Sequence, residues 1–275
     1  MILRPQDIYQ IIRDFKVGRK ISLLTVDFGK QVLEVKIQRN GIVLPDGREI
    51  KFPFRVKENF LYHIANDEII PVAWFCEHTG LYYKLVPTED WPTISLSSVP
   101  MHRKKLCSPQ RDARAKIATL NPCGIHLDTC AGLGYTAILS AHYANQVYCF
   151  EKDENVLEMA KLNPFSQGLF ENPKIILKKA DTSVEINQFP DNFFDTIMHD
   201  PPTFKLAPEM YSVEFYQALY RVLKPGGKLF HYTPLPGVKR GRNFPDKVKA
   251  KLKSVGFGNI KYFSSAQGLL CFKIG

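Results

Sequence analysis

The sequence predicts an α/β chain: a sheet with helices on both faces over residues 109–275, preceded by a small α+β domain over 1–95 and a linker at 96–108. Three observations lead there. From about residue 110, apolar runs of strand length alternate with segments of helical period, as in a parallel sheet covered on both sides. Before residue 95 the apolar runs are joined by tight turns, which is hairpin chemistry. Between the two, TEDWPTISLSSVPMHRKKLCSP (88–109) carries Pro92, Pro100, Pro109 and four serines, the composition of a crossing segment.

The elements follow in order. PQDIYQIIRDF sets Ile8, Ile11, Ile12 and Phe15 on one helical face. ISLLTVDFGKQVLEVKIQ reads as two strands around Gly29-Lys30. LPDGREI turns at Asp46-Gly47, and VAWFCEHTGLYYKLV turns at Thr79-Gly80. Phe60, Tyr62, Trp74, Tyr82 and Tyr83 have the spacing of core aromatics rather than of a base-stacking surface. The second domain opens with the helix QRDARAKIATL. Strands GIHLDTC, QVYCFEK, KIILKKA, FDTIMHD and GKLFHYT follow, with helices YTAILSAHYA, ENVLEMAKL and SVEFYQALYRVL among them. The helix DKVKAKLKSVG and two strands, NIKYFSS and LLCFKIG, close the chain.

Composition narrows the class. No apolar run is long enough to span a bilayer, and MILRPQDIYQ lacks the apolar core of a signal peptide. None of the six cysteines forms a C-x-x-C pair, so no metal site is expected, and buried free thiols point to a reducing, cytoplasmic setting. The net charge of +10 is concentrated. Residues 1–100 hold 13 basic against 12 acidic side chains. Residues 101–120 hold six basic (Arg103, Lys104, Lys105, Arg111, Arg114, Lys116) against Asp112, and residues 238–261 hold eight against Asp246. Two such clusters are the footprint of a polyanion partner, and nucleic acid is the expected one.

Ligands of open α/β sheets bind beyond the carboxyl ends of the strands. The first strand ends in LDTCAGLGYTA, where Asp128 precedes Gly132-x-Gly134-x-x-Ala137. The glycines permit a sharp turn and a close ligand approach, and the spacing also fits a dinucleotide fingerprint. The second strand ends at Glu151-Lys152, where an acid can accept from both hydroxyls of a ribose. The third runs into Asp181, placed to accept from an adenine amino group, with a helix N-cap as the plain alternative. The fourth ends in Asp200-Pro201-Pro202-Thr203-Phe204. Prolines stop a strand because they cannot donate to its ladder, and a strand-end acid needs a partner or a task.

An acid ahead of the glycines, LDTCAGLGYT, then FEKD, ADTSVE and LYRVLKPGGKLFHYT, resembles the class I S-adenosylmethionine (SAM)-dependent methyltransferases over residues 109–275. The resemblance implies their Rossmann-like sheet, SAM as cofactor, and Asp128, Cys130, Gly132, Gly134, Glu151, Lys152 and Asp181 as its binding residues. Cys130 stands where glycine is commoner. HDPPTF resembles the Asp/Asn-Pro-Pro-aromatic motif of amine-directed members, implying Asp200, Pro201, Pro202 and Phe204 as catalytic. Thr203 occupies the usual aromatic position, so Phe204 or Tyr232 would have to stack on the base. MHRKK, EKDENVLEMAKLNPFSQGLF, HDPPTF and EMYSVEFYQALYRVLKPGGKLFHYT further resemble an archaeal group that includes an enzyme dimethylating cytidine N4 in small-subunit ribosomal RNA. That resemblance implies rRNA modification as the activity, rRNA as partner, a positioning role for residues 1–95, and Asn163-Pro164-Phe165 in a loop near SAM. Helix termination at Pro164 is the plain reading of that loop. His199 and His231 read as satisfied core histidines. Aminopropyl transfer of the spermidine-synthase type and methylation of a protein glutamine amide are the alternative activities. A third alternative keeps the fold as a binding module without catalysis.

Overall fold

The computed structural model describes residues 1–53, 55–103, 107–233 and 243–275. Lys104 and Lys105 of the first basic cluster, and Lys239, Arg240 and Arg242 of the second, lie outside the described residues. The chain divides into two compact units, Met1–Lys104 with Glu158–Gln167, and Lys105–Leu157 with Gly168–Gly275.

In the first unit, β1 (Ile2–Leu3), α1 (Pro5–Lys16), β2 (Ile21–Val26), β3 (Gln31–Gln38), β4 (Gly41–Val43), β5 (Glu49–Lys51), β6 (Tyr62–Ala65) and β7 (Glu68–Pro71) come first. Their strands form a sheet of order β1-β6-β7-β5-β4-β3-β2. A second sheet, β11-β10-β9-β8, is built from β8 (Ala73–Cys76), β9 (Leu81–Val86), β10 (Thr93–Leu96) and β11 (Val99–Pro100). Helix α1 buries Ile8 and Ile11, but Phe15 in its last turn is exposed. Asp14 is buried beside it instead, because Ser22, Gln10 and Arg19 all donate to its carboxylate.

Two expectations change here. Tyr62 and Tyr83 are core, whereas Tyr82 is exposed, since successive residues of β9 face opposite sides of the sheet. The segment read as a linker at 96–108 begins inside the second sheet. Ser97 and Ser98 adopt left-handed φ of 43° and 77° and turn the chain back, so that Val99 and Pro100 pair with Leu96 and Ser95.

The second unit holds α2 (Pro109–Leu120), β12 (Ile125–Asp128), α3 (Tyr135–Ser140), β13 (Gln146–Glu151), α4 (Glu154–Leu162), α5 (Gln167–Glu171) and β14 (Ile175–Lys179). It continues with α6 (Thr182–Glu185), β15 (Phe194–His199), α7 (Val213–Val222), β16 (Leu223–Tyr232), α8 (Phe244–Val255), β17 (Phe257–Phe263) and β18 (Gly268–Lys273). Helices α4 and α5 both straddle the boundary between the two units. The sheet order is β14-β13-β12-β15-β16-β18-β17. Strands β12 to β16 run parallel and β18 is antiparallel to both neighbours, as in the Rossmann-like methyltransferase fold.

The pleat explains why helices cover both faces. On β15, Ile197 joins one core with Phe215 and Leu219 of α7 and Leu252 of α8, while the next residue, Met198, joins another with Ile117 and Leu120 of α2. Leu229 and Phe230 of β16 divide the same way. Each such side chain, fully buried, contributes roughly 1.5–3 kcal/mol. The helices are set by capping: Ser108 accepts from the Arg111 amide, Ser212 from Phe215, and Asn243 from Asp246.

Asn163 follows the end of α4 and is wholly buried, its amide donating to Ser166 at 2.7 Å. Phe165 lies 5.2 Å edge-on from Phe28 and 5.8 Å from Trp91, with the Lys30 ammonium 4.8 Å from its ring. Pro164 thus ends the helix, and Phe165 is an anchor within the first unit.

Candidate active site

The parallel register brings the carboxyl ends of four strands side by side. Asp128 ends β12 opposite Cys149 and Met198, Glu151 ends β13, Asp181 follows β14, and Asp200 follows β15.

Asp128 is fully buried. Thr136 donates to one carboxylate oxygen at 2.6 Å and the Cys130 amide to the other at 3.3 Å. Burial pushes its pKa up to about 7; the two hydrogen bonds oppose this, the negative charge of Asp200 adds to it, and Lys116 opposes it. The chain then turns through Gly132 (φ 54°) and Gly134 (φ 78°). A Cβ on Gly134 would sit 2.8 Å from Leu169 Cδ2, so only glycine fits at this helix start. Glu151 reaches back over the loop, accepting from the Gly132 and Asp153 amides at 2.9 Å each. Burial raises its pKa, and those amides hold it down. Cys130 is packed 3.6 Å from the Met210 sulfur, and burial raises its thiol pKa well above normal.

Asp181 caps α6. One oxygen accepts from the Ser183 amide at 2.9 Å and hydroxyl at 2.7 Å, and the other lies 3.5 Å from Lys152 Nζ. Lys152 is shared with Glu209 at the same distance. Burial acts to raise the Asp181 pKa, but Ser183 and Lys152 outweigh it and the net shift is downward.

Asp200 is held from the first helix of the unit. Lys116 of α2 donates to Asp200 Oδ2 at 2.5 Å and pairs with Asp112, one helical turn away, at 2.7 Å. The side chains of Lys116 and Asp112 are 5% and 2% exposed, and that of Asp200 is 22% exposed. Burial favours the neutral amine, but Asp200 and Asp112 more than offset it, so the Lys116 pKa is raised. Composition groups Lys116 with surface cations that meet a polyanion; its burial removes it from that group. Arg111 and Arg114 of the same segment remain at the surface, as do Lys247, Lys249, Lys253 and Lys261 of the second, while Lys251 is tied to the Tyr211 carbonyl.

The Pro201–Phe204 turn is fixed by Tyr211, whose hydroxyl donates to the Pro202 carbonyl at 2.8 Å. Phe204 stands edge-on to Tyr211 at 5.7 Å and is 49% exposed, free to meet a planar group. Tyr232 is only partly exposed and lies over the Lys116 ammonium at 4.5 Å. His199 and His231 are buried and satisfied. His199 donates from Nε2 to the Met210 carbonyl at 3.0 Å, which leaves Nδ1 to accept from Thr129. His231 donates from Nδ1 to the Tyr232 carbonyl at 2.7 Å and accepts from Tyr216 at Nε2. Burial lowers both pKa values, that of His231 to about 3, so both rings are neutral at neutral pH and keep only the one N–H they donate.

Sequence reasoning missed Asp112 and Lys116 as site residues. Their i, i+4 spacing was the available signal, but on a helix that spacing more often marks a solvated pair.

Residues 127–231 match a methyltransferase-domain family. The chain is 44% identical over 262 residues to the uncharacterized protein MJ1233 of Methanocaldococcus jannaschii, covering 91% of this chain and 88% of that one. It is 32% identical over 109 residues to a polyamine aminopropyltransferase of Nitrosomonas europaea, or 38% of this chain and 34% of that one. The fold is similar to that of spermidine synthase in complex with the transition-state analogue AdoDATO, with a TM-score of 0.59 at 16% identity, covering 93% of this chain and 81% of that one. Spermidine synthase from Thermotoga maritima gives 0.55 at 16% identity, covering 94% and 80%.

The strand-end residues fit SAM. The Gly132–Gly134 turn has two left-handed glycines and leaves no Cβ on the strand-end loop, and the donor set is anionic, suited to a cationic cofactor carrying a ribose diol. Asp128 would balance the positive end, Glu151 would take the ribose hydroxyls, and the Gly132–Gly134 turn would admit the cofactor closely.

Proposed function

We propose, for a chain that belongs to the same family as MJ1233 and carries a SAM-dependent methyltransferase domain, that the methyl acceptor is an exocyclic amine of RNA, with N4 of a ribosomal cytidine as the best candidate. The observation that carries this reading is the Asp200-Pro201 strand end, its carboxylate fixed by a buried cation. An exocyclic amine is a weak nucleophile because its lone pair is delocalised into the ring. Asp200, which keeps acceptor capacity beyond the bond to Lys116, and the Pro201 carbonyl would each accept one amine hydrogen and turn the lone pair toward the methyl group. The cofactor supplies that methyl on a cationic sulfur. The proton leaves after transfer, so no strong base is needed beforehand. Positioning and preset electrostatics provide the acceleration. Phe204 would stack on a base presented out of its helix. The exposed cations of α2 and α8 would contact phosphates, residues 1–95 would position the RNA, and the enzyme would act in the cytoplasm.

A second reading, aminopropyl transfer to a polyamine, is favoured by the likeness to the Nitrosomonas enzyme and by the fold. Methylation of a protein glutamine amide would use the same acceptor pair. One experiment separates the three. Labelled SAM is offered with total RNA, DNA and protein, and decarboxylated SAM with putrescine, to the native chain and to Asp200→Ala. Label in methylated cytidine, lost in Asp200→Ala, is the expected result. Label in protein, or aminopropyl turnover, would reject it.

A further inference from the structure

In the first unit, the chain between β5 and β6 runs past β7 and β9 and leaves a cavity of about 700 Å3, within the about 300–1,000 Å3 of small-ligand sites. Part of its lining is buried, namely Tyr62 and Ile69; Phe60 is half-buried and Tyr82 is 39% exposed. The backbone around it is already fixed. The Phe52 amide donates to the Asn40 carbonyl at 2.9 Å, the Tyr9 hydroxyl to the Val56 carbonyl at 3.2 Å, and the Lys57 amide to the Tyr62 hydroxyl at 2.6 Å.

The charges of the lining do not cancel. Lys51 lies 3.8 Å from Glu68, and these two offset each other. Arg55 and Lys57 are exposed and form no ion pair among the described residues. Glu58 interacts with Tyr9 and does not line the cavity. The aromatic rings divide into two kinds. Phe60 carries cations, with the Lys57 ammonium 5.2 Å and the Lys84 ammonium 4.6 Å from its centre. Tyr82 makes no ring contact among the described residues, because the pleat of β9 turns it outward while Tyr83 goes to the core.

We propose that this cavity binds one unpaired nucleotide of the RNA substrate, with its base stacked on Tyr82 and its phosphates on Arg55 and Lys57. This rests on the reading of RNA as the methyl acceptor, and gives the first unit a defined part in holding it. A nucleotide brings both things the lining can take, a planar face for the exposed ring and an anion for two uncompensated cations. An acidic peptide would use the cations and leave the ring idle. A duplex keeps its bases stacked inside, so the segment held here is single-stranded.

The test is fluorescence anisotropy with a labelled, unstructured oligoribonucleotide. It compares the native chain with Tyr82→Ser, Tyr82→Phe and Arg55→Gln/Lys57→Gln, each checked for fold by circular dichroism. Tyr82→Ser should weaken binding about 5–100-fold, and Tyr82→Phe, which keeps the ring, should bind as the native chain does. The double variant should flatten the slope of log affinity against log salt by roughly 1.4, the loss of two phosphate contacts to a single strand. Native affinity and salt slope in Tyr82→Ser and in the double variant would overturn the proposal. So would displacement of the RNA by polyaspartate, or by AMP, as effective as by unlabelled RNA. Methyl transfer to total RNA is followed in parallel. Label in cytidine with RNA affinity unchanged in these variants would reject this cavity and leave the RNA reading standing; a native chain that binds no RNA would reject both.

Discussion

Replacing Asp128 with Asn changes one atom and removes one proton equilibrium from the core. Asp128 is fully buried, and its pKa moves from 3.8 to about 7. A tenfold change in an acid dissociation constant corresponds to ~1.4 kcal/mol, so the ionised carboxylate costs the folded state up to about 4 kcal/mol. The sign follows from the direction. A carboxyl whose folded pKa exceeds its unfolded value leaves stability undiminished below pH 3.8, and stability falls as pH rises toward 7. Above that it is flat with respect to this group. Asparagine preserves the contacts, since its oxygen can accept from the Cys130 amide and its nitrogen can donate to the Thr136 hydroxyl.

The assay is urea unfolding of both proteins at about pH 4.5, 6 and 8. The stability of Asp128→Asn relative to the native chain should rise across that interval by ~3 kcal/mol. Other titrating groups cancel in the difference. On the proposed role of Asp128 as the anion beside a cationic cofactor, the same variant should bind SAM more weakly. Native affinity should itself weaken as pH falls below 7. Stability curves that stay parallel over the whole interval would show that Asp128 carries no buried charge, and the electrostatic account of the cofactor side would fail with it.

Three further outcomes are expected. Gly134→Ala forces a left-handed residue with φ 78° and a Cβ 2.8–3.0 Å from Leu169, and should lower stability by ~2–4 kcal/mol in thermal unfolding, partly relieved by Leu169→Ala. Phe204→Ala should raise KM for RNA about 5–100-fold with SAM affinity unchanged, since the ring is exposed and stands edge-on to Tyr211. Asp181→Ala should cost about 1 kcal/mol as a lost N-cap; a drop in SAM affinity larger than that would show the second oxygen acting on the cofactor.

The C-terminal half of the fold is legible because its strands and helices differ in period and because each strand ends on chemistry. Asp128, Glu151, Asp181 and Asp200 stand where the alternation places them. What is illegible depends on three-dimensional neighbours. Lys116 and Asp112 have the spacing of a surface pair; only the position of Asp200, 84 residues on, turns them inward. Phe15 belongs to an apolar stripe by period, yet the helix ends before its turn is covered. Tyr82 and Tyr83 are adjacent and chemically alike, and only the pleat decides which is core. Ser97-Ser98 has the composition of a linker because serine is common in loops, and the left-handed turn they make is not written in composition.

The two halves of the site are electrically one, and this gives a last prediction. The charge of Asp200 raises the Asp128 pKa, and that of Lys116 lowers it. Asp200→Asn removes the first and leaves the second with Asp112 as its remaining anionic partner. The loss of the Asp200 charge acts downward on Asp128, and Lys116 continues to act in the same direction. A substitution on the substrate side should therefore abolish transfer while moving the pH midpoint of SAM binding to lower pH. Near pH 6.5, where native Asp128 is largely protonated, the variant should bind SAM more tightly, by about threefold if the midpoint falls by one pH unit. Above pH 8 the two should converge, since Asp128 is then ionised in both. Calorimetric titration with SAM across that range distinguishes this coupling from a local role for Asp200: a midpoint that stays in place would mean that the cofactor acid and the substrate acid titrate independently.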